Sequence, residues 1–212
     1  VTQSEQQFTF TDVAHHPIPS LLRGFSAPVK LSIPLDDADL DFLMRHDADL
    51  FNRWQAAQTQ GMKRLVAIAC GEGEYVPDVR EFALAIGPTL TDDWLEPAYR
   101  AAFAVPPSEL DIAQEIGTDV DPTAVHLARR KLRQALGHTL QGDLQRLYED
   151  YAVPGAYEPD PDSVGRRDLR NTALALLAAE ETEDGVKRAK THFENASNMT
   201  DSMAALRILA NL

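Results

Sequence analysis

The sequence predicts a mainly α-helical chain: an array or solenoid of helix pairs over residues 35–212, preceded by a short β segment over residues 1–34 that reads as the remnant of a β-sandwich. Three observations predict it. The apolar period changes from two to about 3.6 near Leu35. About nine or ten helical patterns then follow one another across brief loops. No strand pattern returns after that point, and so many short helices favour a right-angle array over a four-helix bundle, although no strict repeat is present.

In the first 34 residues, Phe8-Thr9-Phe10-Thr11 and Val29-Lys30-Leu31-Ser32-Ile33 alternate in period two among Pro17, Pro19, Pro28 and Pro34, as strands do. Two or three short strands cannot satisfy their own edges, so they are expected to lean on the first helices or on a neighbouring molecule. Residues 1–34 are therefore assigned to the end of a β-sandwich domain and 35–212 to the first part of a helical domain.

From Leu35 onward the helices can be taken in order. Asp36 or Asp37 caps a helix with Leu40, Leu43 and Met44 on one face, and a second helix carries Leu50, Phe51, Trp54 and Ala57. A third runs from Met62 to Cys70 and stops at Gly71-Glu72-Gly73. Pro77 then opens a helix through Phe82 and Ile86 toward Gly87-Pro88. Thr91 or Asp92 is expected to cap a helix with Trp94, Leu95 and Tyr99, and Ser108 one with Leu110, Ile112 and Ile116.

The clearest pattern starts at Asp121-Pro122 and runs through Val125, Leu132, Leu136, Leu140, Leu144, Leu147 and Tyr151, with Gly137 and Gly142 marking a kink or a helix-to-helix turn. Leu169, Ala173, Leu176 and Leu177 mark the next helix, which Gly185 is expected to end or bend. Val186, Ala189 and Phe193 follow, and Thr200 caps a last helix with Met203, Leu206 and Leu209. Apolar residues up to Leu212 read as a cut inside a longer domain, so Met203, Leu206, Ile208 and Leu209 are expected to be exposed or covered by another copy.

Composition narrows the function classes. Hydrophobic residues make up 44% and charged residues 25% of the 212, the balance of a globular protein. The net charge of −13 repels phosphate backbones and anionic lipids, so neither nucleic acid nor a membrane is expected as a partner. No apolar stretch approaches the roughly 20 residues that span a bilayer. The single cysteine, Cys70, lies in an apolar run, cannot form an internal disulfide, and is expected to be buried in a protein of the reducing cytoplasm.

No catalytic, cofactor-binding or metal-ligating residue is assigned. Catalytic zinc takes three protein ligands and an open position, and two of the ligands commonly sit four residues apart on one helix. The six histidines do not supply that arrangement. His15 and His16 read as surface loop, His46 as a helix-end cap, and His126, His138 and His192 as helix-face or packing residues without an acid or nucleophile nearby. Gly71-Glu72-Gly73-Glu74 lacks the lysine and hydroxyl residue of a phosphate loop, and its glutamates repel phosphate. Glu180-Glu181-Thr182-Glu183-Asp184 lacks calcium-loop spacing and reads as a solvated face. Ser20, Ser26 and Ser163 lack a nucleophile elbow, and Asp168-Leu169-Arg170 and Arg129-Arg130-Lys131 read as exposed faces with weak local ion pairs.

Several strings nevertheless carry a specific likeness. Pro19-Ser20-Leu21-Leu22-Arg23-Gly24-Phe25-Ser26-Ala27-Pro28-Val29-Lys30-Leu31, Phe42-Leu43-Met44-Arg45-His46-Asp47 and Phe51-Asn52-Arg53-Trp54-Gln55-Ala56-Ala57-Gln58 are followed by Arg167-Asp168-Leu169-Arg170-Asn171 and Asn198-Met199-Thr200-Asp201-Ser202-Met203-Ala204-Ala205-Leu206. In this order they resemble the bacterial aminopeptidase N family of zinc aminopeptidases. The resemblance implies a parent with an amino-terminal β-domain, a thermolysin-like catalytic domain, a small β-sandwich and a large helical domain, of which this chain holds the end of the sandwich and the first helices. The family's HExxH helix and GAMEN loop belong to the catalytic domain, and neither string occurs here. Zinc is thus expected in the parent and no cofactor in this segment. The implied role is to roof the active-site chamber and limit peptide access, with the parent's own catalytic domain as an intramolecular partner. A free-standing helical scaffold binding a protein or peptide is the alternative.

Overall fold

The computed structural model describes residues 4–27, 29, 31–71 and 78–211. Among them are ten α-helices and no β-strand. In chain order these are α1 (Asp37–His46), α2 (Leu50–Cys70), α3 (Val79–Leu90), α4 (Pro97–Ala104), α5 (Glu109–Ile116), α6 (Pro122–Thr139), α7 (Gln141–Asp150), α8 (Pro161–Leu177), α9 (Glu183–Asn195) and α10 (Met199–Leu209).

The helical array agrees with the expectation, whereas the described residues of the two alternating stretches in the first 34 residues carry no strand pairing. Pro28 and Lys30 lie outside the described residues, and Phe8 and Phe10 are 60% and 82% exposed, with no ladder partner beside them. A strand is stable only when a neighbour takes up its amides and covers one face. The segment does lean on the first helices. Asn52 Nδ2 donates to Leu21 O at 2.8 Å and Ser20 Oγ at 3.0 Å, Gly24 N donates to Asp49 Oδ2 at 3.0 Å, and Arg23 reaches Asp47 at 3.3 Å.

Helix starts follow their caps. Asp36 closes a capping box with Asp39 at α1, and Ser108 one with Asp111 at α5. Asp121-Pro122 and Asp160-Pro161 place a side-chain acceptor and then proline at the first helical position of α6 and α8. Gly71 ends α2 in the left-handed region at φ 63°, which costs glycine least.

Several boundaries differ from expectation. The two helices expected over 50–70 are one, because Gly61 lies against the Phe82 ring and Pro107, each 3.5 Å from where a Cβ would sit, and continues the helix. Cys70, at the end of that helix, is exposed rather than buried. Pro77 lies outside the described residues, and Asp78 caps α3, which passes through Pro88 to Leu90. Thr91 and Asp92 do not open a helix: Asp92 Oδ1 accepts from Trp94 N at 3.1 Å in a tight turn, Trp94 is 98% exposed, and the helix starts at Pro97.

The turn expected near Gly137 and Gly142 falls between them at Leu140, the junction of α6 and α7. Gly185 sits in the first turn of α9 behind Thr182, whose Oγ1 accepts from Gly185 N at 3.2 Å. Asn198, not Thr200, caps α10, accepting from Asp201 N at 2.9 Å.

Helix α6 runs through the middle against α2, α3, α5 and α8, and α8 packs in turn on α4, α7 and α10. One core spans α1 to α8. Met44, Leu65, Ile86, Phe103, Leu132, Leu144 and Leu169 are all within 1% of full burial, each worth about 1.5–3 kcal/mol. A smaller cluster, Leu174, Ala178, Ala189 and Ile208, joins α8, α9 and α10. Ile208 is therefore buried, while Met203 and Leu206 are exposed as expected.

Candidate functional site

Helices α4, α6, α8 and α10 frame an open groove of about 780 Å³. Its floor is made of small residues such as Ala101, Ala175 and Ala204, and its walls are polar. The basic wall follows from helical spacing: His126, Arg129, Arg130 and Arg133 fall three or four residues apart on one face of α6, and Arg207 of α10 stands in the same groove.

These basic side chains are not equivalent. His126 Nδ1 lies 2.9 Å from Glu109 Oε1, and Arg130 lies 2.6 Å from Glu181 Oε1. Arg129 Nε instead donates to Pro107 O at 2.9 Å, and Arg133 donates to Ala175 O at 3.1 Å. Among the described residues no carboxylate lies within 4.0 Å of the guanidiniums of Arg129, Arg133 or Arg207. Burial, then the neighbouring charge of Arg129, lowers the pKa of Arg133. Asp168 of α8 also lines the groove, and burial raises its carboxyl above the usual value. The weak local ion pairs expected along Arg129-Arg130-Lys131 are thus replaced by contacts to distant elements. In Asp168-Leu169-Arg170, Leu169 is fully buried and Arg170 Nε donates to Tyr148 O at 3.0 Å.

A second polar cluster is buried where α7 to α10 meet. The Tyr148 hydroxyl lies 3.0 Å from Nδ1 of His192, itself 4% exposed, and Nε2 of His192 lies 3.9 Å from Asp201 Oδ1, too far for a hydrogen bond. Asn171 Nδ2 donates to Asp201 Oδ1 at 3.0 Å and Asn198 Nδ2 to Oδ2 at 2.8 Å. Burial alone would raise the Asp201 carboxyl, but its contacts with His192, Asn198 and Asn171 outweigh that and hold it well below the usual carboxylate range. The expectation that His126, His138 and His192 have no acid nearby is corrected: Glu109 and Glu180 lie beside the first two and Asp201 beside His192. The acid comes from the next helix, and Asn171 and Asp201 both fall in strings that carried the resemblance. The cluster ties four helices together and contains no serine or cysteine nucleophile.

The other histidines stay apart. His46 lies tilted against Phe42 with ring centroids 4.9 Å apart, and His138 Nδ1 lies 3.0 Å from Glu180 Oε1; with Arg130 paired to Glu181, part of the acidic run 180–184 is held by side chains of α6 rather than only solvated. Among the described residues no three His, Cys, Asp or Glu side chains converge as a metal site would require, so these residues do not fit a zinc ion. No helix of the described residues is long and apolar enough to cross a membrane.

Comparison with known proteins gives this geometry a family. Aminopeptidase N of Caulobacter vibrioides is 37% identical over 204 residues, covering 96% of this chain and 23% of that protein. The Escherichia coli protein of the same name is 35% identical over 208 residues (97% and 24%), and that of Haemophilus influenzae 30% over 211 (98% and 24%). The crystal structure of Legionella pneumophila aminopeptidase A in complex with aspartic acid superposes with a TM-score of 0.83 at 28% identity, covering 99% of this chain and 25% of that one. The chain therefore spans about a quarter of the length of the relatives it matches. A model described as a domain of unknown function (DUF3458) with an Ig-like fold matches residues 1–34, and one described as a domain of unknown function (DUF3458_C), ARM repeats, matches residues 37–212. On the strength of that second match, which takes in all ten helices, the chain belongs to the DUF3458_C family of ARM-repeat domains.

Proposed function

We propose that this chain is the non-catalytic helical portion, with the end of the adjoining β-sandwich, of a cytoplasmic zinc aminopeptidase that removes amino-terminal residues from peptides. The observation that carries the reading is 30–37% identity to three proteins named Aminopeptidase N over nearly the whole chain. In the parent, the helical array roofs the active-site chamber and restricts the size of peptide that reaches it. Its partners are the parent's own catalytic domain and the peptides passing beneath the roof, while the ligands of the zinc and the attacking base lie outside these 212 residues. The concave groove supports the alternative of a peptide-binding scaffold equally in shape, but only the aminopeptidase reading accounts for the identity.

The test uses the protein from the complete reading frame and a graded series of substrates, from an aminoacyl amide through long peptides to unfolded polypeptides. Activity with kcat/KM falling steeply with length is expected. Equal rates at every length would remove the roofing role, and absence of aminopeptidase activity would remove the reading as a whole.

A further inference from the structure

We propose that the groove between α6, α8 and α10 is a binding site for an acidic peptide segment, whose carboxylates are held by Arg129, Arg133 and Arg207 above a floor of alanines. The inference rests on the groove itself and does not depend on the aminopeptidase reading.

The first reason is charge. In a chain of net charge −13, where carboxylates outnumber cations, three of the four arginines lining this groove have no carboxylate within 4.0 Å among the described residues, the fourth, Arg130, being paired with Glu181. Arg129 and Arg133 are only half satisfied, each by one backbone carbonyl. The remaining guanidinium donors form planar forks that match carboxylates and bind them with charge-assisted hydrogen bonds. Burial of Arg133 beside Arg129 makes an incoming anion more favourable there than on the open surface.

The second reason is shape. Arg129 and Arg133 stand one helical turn apart on α6, and Arg207 stands on a different helix, so the positive points are spread along the groove rather than gathered round one compact anion. Carboxylates spaced along an extended chain match that spread. The small side chains of Ala101, Ala175 and Ala204 leave room for a backbone, and about 780 Å³ accommodates a short peptide rather than a single ion.

Fluorescence anisotropy tests this with a fluorescein-labelled octapeptide of alternating glutamate and alanine, its glutamine counterpart, and inorganic phosphate as competitor. The acidic peptide is expected to bind with an affinity that falls as sodium chloride rises. Arg129→Gln, Arg133→Gln and Arg207→Gln should each weaken binding about tenfold, the loss of one charge-assisted contact. Arg146→Gln removes the same charge from α7, outside the groove, and should change it less than about twofold. Arg133 also holds Ala175 O, so its variant could loosen the fold, whereas among the described residues the Arg207 side chain makes no hydrogen bond and its variant remains a fair test. No binding at millimolar peptide, equal binding of the glutamine counterpart, equal loss in Arg146→Gln, or unchanged binding in Arg207→Gln would each overturn the proposal. So would phosphate competing mole for mole with the peptide.

Discussion

The α-carbon of Gly137 on α6 faces the backbone carbonyl of Leu176 on α8 so closely that a Cβ at that position would overlap the oxygen. This close approach sets the distance between the two central helices. A backbone carbonyl cannot rotate away, so Gly137→Ala must push α6 from α8, and a loss of about 1–3 kcal/mol in urea unfolding is expected. Gly142→Ala, where nothing lies within 4 Å of the added atom, is the control and should be neutral or stabilising by up to about 1 kcal/mol. Equal effects of the two would remove the packing explanation.

Arg100 is 1% exposed, yet its charge is well supported. Nε donates to Leu90 O at 2.8 Å, one terminal nitrogen lies 2.6 Å from the Tyr151 hydroxyl and 3.0 Å from Asp93, and the guanidinium lies 5.0 Å from the Tyr151 ring centroid. Arg100→Ala should cost about 3 kcal/mol or more, since it leaves a cavity and an unpaired buried carbonyl. Tyr151→Phe should cost only about 1 kcal/mol, because Asp93 still receives the charge. A larger loss in Tyr151→Phe than in Arg100→Ala, read from thermal unfolding, would contradict this.

The Asp201 cluster gives a dependence on pH with a definite sign. Its folded pKa lies below the ordinary 3.8, so its stabilisation is fully present above that value and is lost as pH falls from there through the folded pKa. Asp201→Asn should lower stability by about 1–3 kcal/mol at pH 7, since Asn198 and Asn171 lose a charged acceptor. Below pH 3.8 the difference from the parent chain should shrink. A difference that stays constant from pH 7 to pH 2.5, followed by denaturant titration, would show that Asp201 is not the group responsible.

Cys70 ends α2 in an exposed position, so a thiol reagent should modify one thiol per chain rapidly without denaturant. Reaction only at the rate of unfolding would restore the burial that its apolar neighbours suggest.

Much of the array is legible in the sequence because its signals are local. Asp36 with Asp39, Ser108 with Asp111, and Asp121-Pro122 each satisfy their own helix start, and tertiary packing does not overrule them. What escapes is decided at a distance. Gly61 continues α2 where it meets Phe82 and Pro107, and Gly185 starts α9 with its N–H on Thr182 Oγ1, at a close approach to Ala178 and Leu177 O that a Cβ would press on at 3.1 Å. The local pattern instead divides 50–70 into two helices and takes Gly185 as an end or a bend.

The groove and the buried cluster escape for the same reason. His192 looks isolated until α10 brings Asp201 beside it, and Arg129 looks solvated until Pro107 O is found 2.9 Å away. Trp94 fails differently, since the cap signal at Thr91 and Asp92 is real but is spent on a turn before Pro97.

The most direct measurement of the central claim compares the purified 212-residue chain with the protein from its complete reading frame, reading metal content by mass spectrometry and hydrolysis of an aminoacyl nitroanilide in parallel. The complete protein should carry stoichiometric zinc and turn over the substrate, and the chain alone should do neither, even with added zinc. Stoichiometric metal and turnover in the chain alone, surviving removal of host peptidases, would contradict a non-catalytic helical portion, and a complete protein without peptidase activity would contradict its place in an aminopeptidase.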